Sequence, residues 1–409
     1  MSRPRLLFLT CHLPFPPLSG GRLRELELVR RLGDVFDVHL LAASKPLEED
    51  RGTARELEPY CSAVEVFGVE PPAARPDRSE VPLQVLRHRA PALTRRVHEV
   101  LAAGGADLVH VEGFYLAQHV PEEPGVPLLL VEQNVEYELW GQRCLAAGRP
   151  SDLDPFRQHN VTRAAEIAAW RRADIVATLT SEDGAAVRRV LPPSRVRIVP
   201  DGCDHLPRPD GRARPVDRPE APLLVLVGNF AYEPNVDAAH HLVGDILPQV
   251  RERAPETHLW LVGNEPPREV RDLAEDRIRV TGRVPDVVPY MDAADVAVCP
   301  LRIGGGMKVK VIEALQRQKA LVSTGVGVQG FPGRARRLLA VRDDPAEFAA
   351  KAAELLNDPA RRRAAERRAG HAAGLLTTWD EAATMLGDAY CELLSRRAGV
   401  RRAYEELVV

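Results

Sequence analysis

The residues with the most chemistry to offer lie in one stretch, Leu301-Arg302-Ile303-Gly304-Gly305-Gly306-Met307-Lys308-Val309-Lys310-Val311-Ile312-Glu313-Ala314-Leu315. Three consecutive glycines follow a strand-like run, Asp295-Val296-Ala297-Val298-Cys299, and open a helix-like one. Without a Cβ, the backbone there can approach a ligand closely. The free amides at a helix start carry about half a positive charge, which suits a phosphate. Only 5 of the 55 basic residues are lysines, and three of them, Lys308, Lys310 and Lys319, fall within twelve positions. Lysine beside a glycine loop in an arginine-rich chain reads as a compact charge aimed at a phosphate. The local pattern equally describes a tight strand-to-helix turn with solvated lysines, so the rest of the chain has to decide.

The elements that must position this loop follow from length and patterning. At 409 residues and 45% hydrophobic, the chain can fill two cores, since single cores stop growing near about 250–300 residues. A net charge of −3 argues against a general nucleic-acid surface. The six cysteines are dispersed without a CxxC pair, a pattern of reduced cytoplasmic thiols rather than a disulfide frame or zinc site. Leu6-Leu7-Phe8-Leu9 is too short for a signal sequence and is soon followed by Pro14, Pro16 and Pro17. No run approaches the roughly 18–20 apolar residues of a membrane span, and no basic amphipathic anchor is evident. The reading is a soluble, cytoplasmic protein that binds neither nucleic acid nor membrane.

Strand-like and helix-like runs alternate almost throughout, which is the pattern of α/β domains with buried parallel sheets. The first series of strand candidates is Arg5–Thr10, Phe36–Ala42, Ala63–Phe67, Ala106–Val111, Pro127–Val131 and Asp174–Thr178. The second is Leu223–Val227, His258–Val262, Ile278–Val280, Asp295–Val298 and Ala320–Ser323. Between them, the proline-rich, apolar-poor stretch Pro200–Pro222 reads as a linker, with Arg212–Arg218 a solvated hinge. The chain ends in helices, read at Pro345–Asn357, Pro359–Ala373 and Trp379–Arg397. The domains are therefore set at 1–199 and 223–375, joined by 200–222, with 376–409 as a terminal helical segment.

In open α/β sheets, ligands sit beyond the carboxyl ends of strands. Polar or glycine-bearing loops fall there at Ser19-Gly20-Gly21, Gly228-Asn229-Phe230, Gly263-Asn264, Thr281-Gly282-Arg283-Val284-Pro285-Asp286 and the triple glycine. Asn235 is placed to cap the helix that follows Gly228-Asn229. Neither GxGxxG nor GxxxxGK[ST] occurs at these places, which disfavours a nicotinamide enzyme and a P-loop NTPase. Several such loops imply a crevice for a nucleotide diphosphate.

With those residues in view, the second half resembles the nucleotide-binding domain of the GT4 family of retaining, GT-B-fold glycosyltransferases. The matching residues are Gly228-Asn229 with Pro234-Asn235, Leu261-Val262-Gly263, Gly282 to Asp286, Ala294-Asp295-Val296, Pro300 to Leu315 and Val322-Ser323-Thr324-Gly325. Gly20-Gly21, Leu108-Val109-His110-Val111-Glu112 and Val199 to Asp204 look like the family's first loop, strand-end histidine and interdomain signature. The resemblance implies two Rossmann-like domains with parallel sheets facing across a cleft. It further implies a retaining, metal-free transfer of sugar from a UDP, GDP or dTDP donor. The acceptor, a small molecule or glycan, would bind the N-terminal domain, with bacterial secondary metabolism as the setting.

The resemblance also implies roles. Lys308 and the amides of Gly305, Gly306, Met307 and Lys308 would hold the pyrophosphate, with Gly304 and Val309 completing the loop. Glu313 would accept hydrogen bonds from ribose hydroxyls. Gly20 and Gly21 would approach the phosphates from the other domain, and Gly228 and Asn229 would line the donor site. Arg283 and Val284 would border the base, and His110 would touch the transferred sugar. Two departures stand out. The first acid of the family's Glu-x7-Glu pair should lie eight residues before Glu313, where this chain has Gly305. The loop after Gly228 also lacks the basic residues many members carry, leaving Arg302 or Lys308 to supply the charge. Asp152-Leu153-Asp154 spells a DxD but falls in a polar loop, and no metal or other cofactor is expected. Two alternatives stay open: a GT-B protein that binds a nucleotide sugar without transferring it, and an epimerase on a related fold.

Overall fold

Strands buried on both faces read as unbroken aliphatic runs. Leu6-Leu7-Phe8-Leu9 and Leu223-Leu224-Val225-Leu226 are such runs, each residue no more than 1% exposed. In the computed structural model, which describes residues 3–71, 80–145, 154–207, 209 and 216–396, they lie inside two parallel sheets. The first sheet holds β1 (Arg5–Thr10), β2 (Asp37–Ser44), β3 (Ala63–Gly68), β4 (Leu108–Glu112), β5 (Leu128–Glu132), β6 (Ile175–Thr178) and β7 (Val196–Ile198). The second holds β8 (Leu223–Val227), β9 (His258–Val262), β10 (Ile278–Val280), β11 (Val296–Cys299), β12 (Leu321–Ser323) and β13 (Ala340–Val341). The chain forms two compact units, Met1–Pro200 with Trp379–Val409, and Asp201–Thr378.

The strand orders are β3-β2-β1-β4-β5-β6-β7 and β10-β9-β8-β11-β12-β13. Each sheet is wound outward from its first strand in one direction and then, from the fourth, in the other. Helices leaving β1 and β4, or β8 and β11, therefore diverge and open a crevice at the strands' carboxyl ends. Register holds those ends level: Leu9 pairs with Val111, and Val225 with Ala297.

The remaining elements differ from the sequence reading in three places. The short strands β7 and β13 carry little aliphatic signal and were not anticipated. The proline-rich stretch is packed at its start, whereas Asp217 and Arg218 are exposed. Cys203 is buried and its amide donates to the Thr377 carbonyl at 2.9 Å, while the Gln316 amide donates to the Cys203 carbonyl. Arg218 bonds Asp295 at 2.9 Å, and Arg212 lies outside the described residues. Asn235 is not a cap: the helix Glu233–His241 begins before it, and Tyr232 occupies the cap position without a side-chain bond.

The last helix, Trp379–Arg396, packs within the first unit, burying Trp379, Leu386 and Tyr390. Tyr390 donates its hydroxyl to His110 Nδ1 on β4 at 2.6 Å. Among the described residues no helix is long and apolar enough to cross a membrane.

In the second unit the loops after β8 and β9 meet backbone to backbone. The Gly228 amide donates to the Val262 carbonyl at 2.9 Å, and the Phe230 amide to the Asn264 carbonyl at 2.8 Å. Gly263 sits at φ +143, and an ideal Cβ there would overlap the Gly228 carbonyl. Gly263→Ala should therefore cost about 2 kcal/mol or more, from an unfavourable φ and a displaced neighbour. Gly244, where an added Cβ meets nothing within 4 Å, is the control. Denaturant unfolding of both variants checks this, with Gly263→Ala alone expected to lose stability on that scale.

Candidate functional site

The triple glycine leaves β11 at the switch point of the second sheet, beside the end of β8. Gly306 adopts φ +61, a left-handed conformation that glycine enters without strain. Lys308, 8% exposed, folds back over the loop and donates from Nζ to the Gly305 carbonyl at 2.9 Å and the Gly306 carbonyl at 2.7 Å. A Cβ on Gly304 would stand 3.1 Å from Lys308 Cε, so the glycine makes room for the stem. With its carbonyls turned onto Lys308, the loop presents the amides of Gly305, Gly306 and Met307, which meet no carbonyl among the described residues. The helix Val309–Gln316 follows directly, with Lys308 in the cap position and no side-chain cap bond.

The second lysine of the pair, not singled out as a ligand from the sequence, stands at the centre of the switch point. Lys310 Nζ donates to Asn235 Oδ1, whose amide in turn donates to the Asn229 carbonyl at 2.6 Å. A Cβ on Gly228 would come within 3.2 Å of Lys310 Nζ. Burial lowers the pKa of Lys310, against smaller opposing effects of Cys299 and Glu313. This ammonium is held by an amide oxygen rather than a carboxylate, which is where an anion would gain most. The sequence signal that marks it is the same lysine enrichment that drew attention to Lys308.

The other expected donor residues fall less closely together. Arg302 is held by Asp237 in a two-pronged pair at 2.5 and 3.0 Å, so its charge is already matched rather than spare. Glu313 lies in the same helix as Lys310, 3.5 Å from His205 Nε2. Met307 is tied to the chain entering the unit, its sulfur accepting from the Asp201 amide at 3.3 Å. Val309 is half-buried, Val284 likewise, and Arg283 is exposed on the loop after β10. That loop lies two strands from β8, about 10 Å away.

In the first unit, Gly20 and Gly21 open the helix Gly20–Leu32 beside the end of β1, where Ser19 Oγ accepts from the Arg22 amide at 3.3 Å. Gly21 is close-packed: a Cβ would stand 2.7 Å from Gln133 Oε1. His110 is placed differently from expectation. It is fully buried and stacks on Phe8 at 4.0 Å. Its Nε2 donates to Glu112 Oε1 at 2.9 Å while Nδ1 accepts from Tyr390. With both nitrogens engaged and no exposed atom, this imidazole cannot touch a sugar in this arrangement. It joins β4 to the last helix instead. Asp154 of the DxD caps the helix Pro155–Arg172, accepting from the Phe156 and Arg157 amides; Asp152 lies outside the described residues.

Comparison with known proteins bears on both units. Residues 221–358 match the profile of a family described as glycosyl transferases group 1. The 2-deoxystreptamine N-acetyl-D-glucosaminyltransferase of Streptomyces fradiae is 37% identical over 175 residues, 38% of this chain and 40% of that protein. The match thus spans less than half of the curated relative. Two solved structures are similar along nearly the full length. HepE of Anabaena in complex with UDP has a TM-score of 0.65 at 14% identity, covering 95% of this chain and all of its own. The α,α-trehalose-phosphate synthase (UDP-forming) of Burkholderia vietnamiensis gives 0.60 at 13%, covering 96% and 100%. At such identities the likeness speaks to fold alone, and the fold is GT-B, with two Rossmann-like domains.

Beneath the first unit's strand edge lies a ladder of buried carboxyl groups. Trp170 Nε1 donates to Glu132 Oε1 at 2.8 Å, and Glu166 accepts the Glu136 and Tyr137 amides at 2.8 and 3.0 Å. Burial raises both Glu132 and Glu166 well above the ordinary carboxyl value, and each is raised further by neighbouring carboxyl groups. A raised carboxyl pKa means the folded state holds the proton more tightly. The stabilisation is complete below the unfolded value near 4.5 and is lost as pH rises through the folded one. The thermal midpoint should therefore fall as pH rises above about 4.5. Glu132→Gln, which keeps an oxygen for Trp170, should flatten that decline and raise the midpoint at the alkaline end. An unchanged slope in the variant would show that Glu132 does not carry it.

Proposed function

We propose that this protein is a glycosyltransferase that moves a sugar from a nucleoside-diphosphate donor to a small polyhydroxylated acceptor. The observation that carries the reading is the glycine loop at the second switch point, where the Gly305, Gly306 and Met307 amides, which meet no carbonyl among the described residues, accompany the Lys310 ammonium. Fixed donors of this kind act on charge that develops as the bond to the nucleotide breaks, without reorganising at that moment. Lys310 is the cation assigned to the phosphates. Lys308 is assigned to shaping the loop, since its ammonium is spent on the Gly305 and Gly306 carbonyls. Glu313 is left for the ribose hydroxyls, and Arg283 and Val284 for the base. His110 is given no part in the chemistry.

The finer points rest on the relatives. The match of residues 221–358 to group 1 glycosyl transferases supports the reaction class. UDP in the HepE structure and N-acetylglucosaminyl transfer by the Streptomyces fradiae relative make UDP-N-acetylglucosamine the donor to try first. That relative also makes an aminocyclitol the acceptor to try first, in keeping with secondary metabolism. Retention of configuration, and transfer without a metal, follow from the resemblance of the glycine loop to retaining GT-B enzymes. Gly305 in place of an acid favours one alternative, a protein that binds the nucleotide sugar without transferring it.

Thermal unfolding with UDP, GDP, dTDP, ADP and NAD is the test. A ligand at a hundred times its dissociation constant adds about 2.7 kcal/mol. UDP should stabilise the wild type and fail to stabilise Lys310→Ala, with Lys308→Ala weakened through its loosened loop. Release of UDP from UDP-N-acetylglucosamine should then require an aminocyclitol acceptor. No response to any nucleoside diphosphate would overturn the proposal. Binding without acceptor-dependent release would select the non-transferring alternative, and release of a free altered sugar without acceptor would select an epimerase.

A further inference from the structure

The first unit carries a second constellation that the proposed transfer does not use. At the carboxyl end of β1, Cys11 Sγ lies 3.3 Å from His12 Nδ1. The other ring nitrogen, His12 Nε2, lies 3.0 Å from Glu25 Oε2. Glu25 is fully buried, accepting from the Thr10 hydroxyl and from the Gln133 amide at 3.2 Å. Thiol, imidazole and carboxyl group thus stand in line: the imidazole can take the thiol's proton, and Glu25 Oε2 faces the far nitrogen of the cation that results.

The surroundings are built for the sulfur. Tyr115 donates its hydroxyl to Cys11 Sγ at 3.5 Å. Its ring packs back over Gly113, at φ +89, where a Cβ would stand 2.6 Å from Tyr115 Cζ. His88 stacks on Tyr115 at 4.4 Å, its Nδ1 engaged by the Gln84 carbonyl at 2.7 Å. Lys45, after β2, adds positive charge. Glu25 from the first helix, Glu112 at the end of β4 and Glu136 after β5 supply the negative charge facing this group. Cys11 and His12 are both partly exposed, whereas Cys203 and Cys299 are buried.

We propose that Cys11 is a thiol activated by the His12–Glu25 pair and a site of covalent modification by peroxides and other soft electrophiles. With a peroxide, sulfur attacks one oxygen; the S–O bond forms as the O–O bond breaks, and sulfur loses two electrons to become a sulfenic acid. With hydrogen peroxide, the leaving hydroxide takes the His12 proton and departs as water. With a haloacetamide, an S–C bond forms and halide leaves. Burial acts to raise the Cys11 pKa, but the charge and hydrogen bond of His12, with His88, outweigh it and draw the pKa well below the ordinary thiol value. Burial instead pushes the Cys61 thiol up to about 12 and raises Cys144 and Cys299. A Cβ on Gly21 would stand 3.5 Å from His12 Cε1, so the Gly20-Gly21 turn passes close to the same imidazole. On the transferase reading, and resting on it, modification then lowers turnover.

The test is iodoacetamide labelling of the full chain, with the rate at each cysteine read by peptide mass spectrometry across pH. Cys11 should label at least about tenfold faster than Cys61 and Cys144 near pH 6.5, with a midpoint below the ordinary thiol value of about 8.5. His12→Gln should slow it and move the midpoint upward, and Glu25→Gln should do so to a lesser degree. Peroxide should give a dimedone adduct at Cys11 that Cys11→Ser lacks. A wild-type midpoint at or above the ordinary value, a measurement needing no variant, would overturn the proposal. So would an unchanged profile in a folded His12→Gln protein. Labelling is read without donor or acceptor, so its failure leaves the transferase reading intact, and the reverse also holds.

Discussion

The reversal of strand order in each parallel sheet is the constraint from which the rest follows. A sheet wound first one way and then the other leaves one place where neighbouring connections diverge. In the first unit that place lies between β1 and β4, in the second between β8 and β11. Everything with chemical potential collects there: Cys11, His12 and Glu112 in one, Gly228 and Gly304 to Lys310 in the other. The flanking strands are apolar to their last turns, so the polar groups gather just where the backbone leaves the sheet and its amides need new partners.

The two crevices solve the problem of buried charge in opposite ways. In the second, glycine replaces side chains: Gly263 lets one loop ride on the Gly228 carbonyl, and Gly304 lets Lys308 fold over its own loop. That fold consumes carbonyls and leaves amides, while Asp237 occupies Arg302. The net result is a positive environment whose central ammonium bonds an amide oxygen. In the first, carboxyl groups dominate, several of them pushed towards their neutral forms by burial, with Glu25 raised to about 7. Such an edge suits hydroxyl or amino groups rather than phosphate.

The fold was legible because its signals are local. Short apolar-rich runs marked eleven of the strands, and capping residues such as Asp344 and Asp358, each accepting two amides, marked the late helices. The short strands β7 and β13 are held by pairing to longer neighbours, which composition does not record. The glycine loop was legible for the same local reason. The pairing of Lys310 was not, because its partner is Asn235, 75 positions away in sequence. Asn235 looked like a cap because asparagine favours that position; Pro234 near the helix start let the helix begin earlier and freed the amide for the crevice.

His110 shows the same limit from the other side. A histidine ending a buried strand reads alike whether it faces a ligand or the core. The difference is made by Tyr390, 280 residues later, whose hydroxyl fills the Nδ1 lone pair. His12 is the converse case. Nothing in its sequence neighbourhood distinguishes it, yet the helix returning along β1 brings Glu25 to its far nitrogen and leaves its near one against a thiol. Two histidines, one on β4 and one just beyond its neighbour β1, thus part ways. One, saturated by a carboxylate and a phenol in a solvent-free interior, can only hold the fold. The other, partly exposed and joined to a nucleophile, has a proton to exchange.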